Sequence, residues 1–325
     1  MPPSLFTRLL AVMASLFFLA SPLRAETIRI SFPPDPNALP VFVLQAKGAQ
    51  FLPHDTLEFR ANPAGDPSAM RALIASGQVD YALFNLIGGT RINQGGMKNF
   101  CLVSPWVWRG VYLLTPLDPQ GKPQPAFALG GKTIAVSPGI STPPHIVIQK
   151  ALERGGVRAD YIAAGAGTVL MQLLRTPGKA PAGVAAAEPM VSQILLRQEQ
   201  EIWPVRWGIA LDPTEALGGA VPLGALWRVG TSIPVAARER FEAALSKAAE
   251  WSTDPANRAE AAQIAAKGYA EFFRQPIPAQ AFDDMLKNRR VQWRLDTPNA
   301  ALPVVQTYQK NVFGINVQPA LFCAQ

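Results

Sequence analysis

The chain has 325 residues, of which 49% are hydrophobic and 16% charged, and its formal net charge is +7. The basic residues are scattered, and only Arg289 and Arg290 are adjacent, so no basic stripe interleaved with aromatics marks a nucleic-acid binder. Two cysteines (Cys101, Cys323) and two histidines (His54, His145) show no metal-ligand spacing, and no Ser-His-Asp set is legible. No metal and no cofactor are expected.

The start of the chain has the layout of a secretory leader. Met1 to Arg8 is short and weakly basic, Leu9 to Ala20 is an apolar run, and Ser21 to Ala25 ends on a small residue before Glu26. The run is short for a membrane span, so residues 1–25 read as a cleaved signal peptide and the mature chain as exported to the periplasm. Its formal charge is about +5 by side-chain counting.

Thr27 to Phe32 alternates and is β-prone, and Pro33 to Pro36 breaks it. Asn37 then caps a helix expected to run to about Phe51. Strands follow at 56–60, 79–84 and 98–104, with one helix opening at Asp66 and another at 85–93 between them. Asp66-Pro67 opens the first of those helices with a cap and a proline at the first helical position. Val107 to Thr115 reads as a long strand leaving this first lobe.

The Pro- and Gly-rich stretch Pro116 to Pro125 reads as a linker. Beyond it come strands at 132–136, 160–163 and 183–187 and helices at 143–155, 168–176 and 188–201. Ile202 to Leu211 looks extended, and Val221 to Val229 returns to the first lobe. The remainder is helical, at 235–251, 257–269, 279–288 and 300–313. The expected division is lobe one at 26–115 plus 226–325, and lobe two at 116–225.

One pattern occurs twice. Ser68 to Asn85 and Thr168 to Pro189 each carry an amphipathic helix, a Gly-containing turn and a small apolar strand ending at a polar residue. Apolar strands alternating with helices define an α/β fold with mainly parallel sheets flanked by helices. Ligands of such sheets sit outside the carboxyl ends of the strands. Two such units place strand ends on either side of a cleft between two lobes.

Four stretches, in order and spacing, carry a family resemblance: Leu73-Ile-Ala-Ser-Gly-Gln-Val-Asp-Tyr-Ala82; Gly131-Lys-Thr-Ile-Ala-Val136; Ile140-Ser-Thr-Pro-Pro-His145 with Ala151-Leu-Glu-Arg-Gly-Gly-Val157; and Ala187-Glu-Pro-Met190. In these the chain resembles the solute-binding proteins of ABC transporters, in the nitrate, sulfonate and thiamine-precursor group with the type II periplasmic-binding fold. The resemblance implies a non-enzymatic module that closes two lobes on a small molecule and docks on an ABC permease in the inner membrane, acting as a monomer. The alternatives are an enzyme on the same fold, of thiamine-precursor or desulfinase type, and an exported ligand sensor. The first loop holds Pro33 to Pro36 and no cysteine, which argues against the enzymes.

The expected cleft residues follow from the strand ends. Asn37, Asn85, Ser141, Thr142, Thr168 and Glu188 stand at helix starts, where free N–H groups attract anions and carbonyl oxygens. Each is also an ordinary cap type, so local capping is the competing role. Phe32, at the end of the first strand, and Trp106 are expected to wall the cleft, and strand alternation puts Trp106 and Trp108 on one face with Arg109 on the other. His145 has no carboxylate partner in the local sequence and reads as structural. An even pair of cysteines in an exported chain joins Cys101 to Cys323 as a disulfide; two thiols, one buried and one on the tail, are the alternative. The expected ligand is small and organic, polar at one end and apolar or cyclic at the other.

Overall fold

The computed structural model describes residues 25–62, 65–165, 167–230 and 232–324. The expected signal peptide lies outside the described residues, apart from Ala25. In chain order the strands are β1 (Thr27–Phe32), β2 (Thr56–Ala61), β3 (Tyr81–Asn85), β4 (Phe100–Arg109), β5 (Val111–Pro116), β6 (Thr133–Val136), β7 (Asp160–Ala163), β8 (Gly183–Ala187), β9 (Trp207–Leu211), β10 (Gly224–Val229) and β11 (Gln292–Trp293). The helices of the first half are α1 (Ala38–Ala46), α2 (Gly48–Phe51), α3 (Pro67–Ala75), α4 (Leu86–Gln94) and α5 (Pro143–Arg154). Those that follow are α6 (Gly167–Arg175), α7 (Met190–Gln200), α8 (Pro213–Ala216), α9 (Val235–Thr253), α10 (Arg258–Phe272), α11 (Ala279–Lys287) and α12 (Pro298–Phe313).

Two sheets organise these elements. The first has the order β11-β4-β10-β3-β1-β2 and the second β7-β6-β8-β5-β9. Both are mixed rather than mainly parallel. The helix-connected strands pair in parallel, β1 with β2 and β3, and β6 with β7 and β8. The strands that join the lobes, β4 with β10 and β5 with β9, pair antiparallel, because a chain that leaves one sheet must come back beside itself.

The crossing point differs from the expected Thr115. Val111 to Leu114 pair with Val184 to Ala187 of the second sheet, so the chain changes sheets at Gly110, whose φ of 147° favours glycine. The return is at Gly224, which pairs with Asn85 and Val107. The expected strand end at Ser104 also moves. Pro105 lacks the N–H a ladder needs, but β4 carries register shifts around it and runs on to Arg109. The helix expected from Asn37 to Phe51 breaks at Lys47 into α1 and α2.

Burial follows strand periodicity. In β5, Val111 and Leu113 join the core that spans the first lobe and the α5 side of the second sheet, while Tyr112 and Leu114 join a smaller core on its other face. The C-terminus is tied to the first sheet. Cys101 in β4 forms a disulfide with Cys323, and Leu102 bridges Phe322. Among the described residues, no helix is long and apolar enough to cross a membrane.

Candidate functional site

The carboxyl ends of β1 and β3 in one lobe and of β6 and β8 in the other supply the loops expected to hold a ligand. After β1 the chain turns sharply through its prolines. Asp35 accepts hydrogen bonds from the backbone N–H of Asn37 at 2.9 Å and from its Nδ2 at 2.7 Å. Tyr269 donates its hydroxyl to the Asp35 carbonyl, and the Trp293 indole donates to the Pro36 carbonyl. Packed surroundings push the Asp35 carboxyl up to about 7, against the pull of the two bonds from Asn37.

Asn37 is 2% exposed, and its Oδ1 has no partner among the described residues. Its carboxamide fills the space beside Gly224, where a Cβ would lie 2.7 Å from Oδ1. Glycine at the start of β10 therefore makes room for this side chain. Asn85, half-buried at the end of β3, accepts from the N–H of Gly88 at 2.6 Å and caps α4.

In the second lobe, the loop after β6 is held from within. Ser137 donates to the Gly165 carbonyl, Thr142 donates to the Gly139 carbonyl, and the Ser141 N–H reaches Nδ1 of His145. Ser141 sits at φ 66° and is exposed. Thr142 precedes α5 without bonding a helix N–H, and Pro143 and Pro144 bring none, so this helix start offers few donors of its own. His145 packs edge-on against Tyr161, and burial lowers its pKa, in keeping with a structural role. Thr168, in the first turn of α6, is exposed.

Glu188, after β8, is 1% exposed. Its carboxylate accepts from the Ser192 N–H at 3.0 Å and from the Ser192 hydroxyl at 2.9 Å. Arg290 lies 4.0 Å from it and donates to the same hydroxyl. Burial pushes the Glu188 carboxyl up to about 7, opposed first by Arg290 and then by the Ser192 bonds.

The two lobes meet at Gly110. The Glu188 N–H donates to the Gly110 carbonyl, and a Cβ on Gly110 would lie 3.3 Å from Pro36. The β1 loop of one lobe and the β8 loop of the other therefore converge on this joint. Arg109 binds Asp212 through Nε at 2.6 Å, and Tyr112 donates to the Arg290 carbonyl, which ties the crossing strands to the segment before β11.

The structure brings Asn37, Asn85 and Gly224 together in lobe one, and Glu188 to the joint in lobe two. Ser141 and Thr142 lie on the loop that leads into α5, and Thr168 in the first turn of α6. Phe32 and Trp106 are not cleft walls. Phe32 is fully buried among Phe42, Phe59, Phe272 and Phe273, because α10 covers the end of β1. Trp106 is likewise fully buried where β4 is irregular. Asp35, Ser192, Tyr269 and Arg290 escape sequence reasoning. Only Asp35 carries a local signal, an acid between two prolines just before a helix start.

No family model matches the chain, and no curated protein does. Solved structures do. An ABC transporter protein from Parabacteroides distasonis superposes with a TM-score of 0.67 at 17% identity, covering 92% of this chain and 99% of its own. The periplasmic aliphatic sulphonate binding protein SsuA from Escherichia coli gives 0.68 at 15%, covering 92% of each chain. The periplasmic nitrate-binding protein NrtA from Synechocystis gives 0.60 at 16%, covering 83% and 73%. The chain thus has the periplasmic-binding-protein fold, shared with ABC transporter binding proteins over most of its length.

Proposed function

We propose that this protein is an exported, monomeric solute-binding protein that captures a small organic ligand between its lobes and delivers it to an ABC permease in the inner membrane. The observation that carries this is the convergence of the β1 and β8 loops, one from each lobe, on the joint at Gly110. A ligand spanning such loops touches both lobes and so favours their closed arrangement. The signal-peptide pattern and the fold of the neighbours agree with it.

Asn37, Asn85, Thr142, Ser141, Thr168 and Glu188 are the proposed contacts. Asn37 offers an unpartnered buried acceptor, and Thr142 an oxygen that caps nothing. Both guanidiniums beside the joint, Arg109 and Arg290, are already engaged by Asp212 and by Ser192 with Glu188. A small inorganic oxyanion therefore fits these loops less well than an organic molecule with hydrogen-bonding groups.

A thermal-shift screen of the mature protein against sulfonates, nitrate, pyrimidines, flavins and aromatic acids tests this reading. A ligand at a hundred times its Kd stabilises by about 2.7 kcal/mol, a rise of a few degrees in Tm. An organic hit is expected, and a response to nitrate alone would contradict the ligand class.

A further inference from the structure

One cavity lies away from these loops. It measures about 720 Å³, within the range of small-molecule sites. One wall is the last turns of α5, another is the strap Leu217–Ala220 that carries the chain back to the first sheet, and the third is a face of α12. Lys150 is eight residues beyond Thr142, or about 12 Å along the helix axis, so the cavity is separate from the proposed cleft.

Its polar groups are unevenly satisfied. Lys150 pairs with Glu153 at 2.7 Å, so these two charges offset each other. Arg154 donates one bond from Nη1 to the Leu217 carbonyl at 2.6 Å, and its Nε and Nη2 make no bond among the described residues. Gly218, at φ 78°, lies against the guanidinium, where a Cβ would be 3.5 Å from Nη1 and Nη2. Tyr308 is 6% exposed, lines the cavity and has no partner for its hydroxyl among the described residues. Val304, Val312 and Leu217 supply an apolar floor.

We propose that this cavity is a second ligand site, for an organic carboxylate with an apolar body. The carboxylate pairs with Arg154 by charge-assisted hydrogen bonds, Tyr308 donates its hydroxyl, and the apolar body covers the floor. Because α5 belongs to lobe two and α12 to lobe one, the occupant bridges the lobes. Any ligand that moves the lobes then changes affinity here, and the reverse holds by linkage. A carboxylate can occupy this cavity whatever class of ligand the cleft takes.

Calorimetry with 2-naphthoate, and with its uncharged twin 2-naphthamide, tests the proposal on the mature protein. Naphthoate is expected to bind, and naphthamide at least roughly tenfold more weakly. Arg154→Gln, a surface change, weakens naphthoate roughly ten- to a hundred-fold, and Tyr308→Phe roughly two- to tenfold. Thr142→Ala in the cleft leaves naphthoate binding unchanged. Absence of naphthoate binding overturns the proposal. So does binding that survives Arg154→Gln unchanged, or that is lost in Thr142→Ala.

Discussion

Two carboxyls, Asp35 and Glu188, sit where loops from opposite lobes meet, and burial raises both to about 7. Between the ordinary carboxylate range and that value, the folded protein holds protons that the unfolded chain has released. Stability from these groups therefore falls as pH rises across that window. The double variant Asp35→Asn, Glu188→Gln should gain on the wild type in Tm between about pH 5 and about pH 7.5. A constant difference between the two melting curves across that range would show that neither group titrates as described. Asn85 has a simpler role in the free protein. As the side-chain cap of α4, its replacement by alanine should cost about 1 kcal/mol in urea unfolding. Unchanged unfolding would mean that the Gly88 bond carries no stability.

Among the elements, the pairing of β10 with β3 and β4 decides how the first-lobe site is built. Gly224 opens β10 beside Asn37, and an added methyl would press on the carboxamide. Gly224→Ala is expected to destabilise by about 1–3 kcal/mol and to displace Asn37. Unaltered unfolding of that variant would mean that the pocket around Asn37 yields freely. Helix and strand positions were largely legible, because apolar periodicity and turn residues act over a few residues. The Asp66 cap, the Asn85 cap and the strand ends at Phe32 and Ala187 stand where local pattern puts them. What was not legible depends on distant partners. Pro105 reads as a strand end, and only the register shifts opposite β10 let β4 pass it. Phe32 reads as a cleft residue, and α10, arriving more than 200 positions later, stacks Phe272 on it to complete its burial. Tyr269 and Arg290 reach the joint from the last third of the chain, so no local motif announces them.

At the scale of the whole molecule, the chain crosses between its sheets and returns, and its tail is locked back onto the first. The Cys101–Cys323 bridge closes a loop 222 residues apart in sequence. Loop-closure entropy alone puts such a long link at about 5 kcal/mol and disulfides typically deliver about 2–4 kcal/mol, so Cys323→Ser should lower unfolding stability by at least about 2 kcal/mol. Mass spectrometry of the oxidised mature protein should find no free thiol, and alkylation of both cysteines without reduction would refute the bridge. The two-lobed plan also sets the functional expectation. Loops on both sides of one joint can share a ligand only if residues from both lobes touch it. The most direct measurement is calorimetry of the ligand found by thermal shift, against Asn37→Ala from lobe one and Thr142→Ala from lobe two. The account predicts that each variant weakens binding roughly five- to two-hundred-fold. Full affinity in either variant would contradict capture between the lobes at these loops.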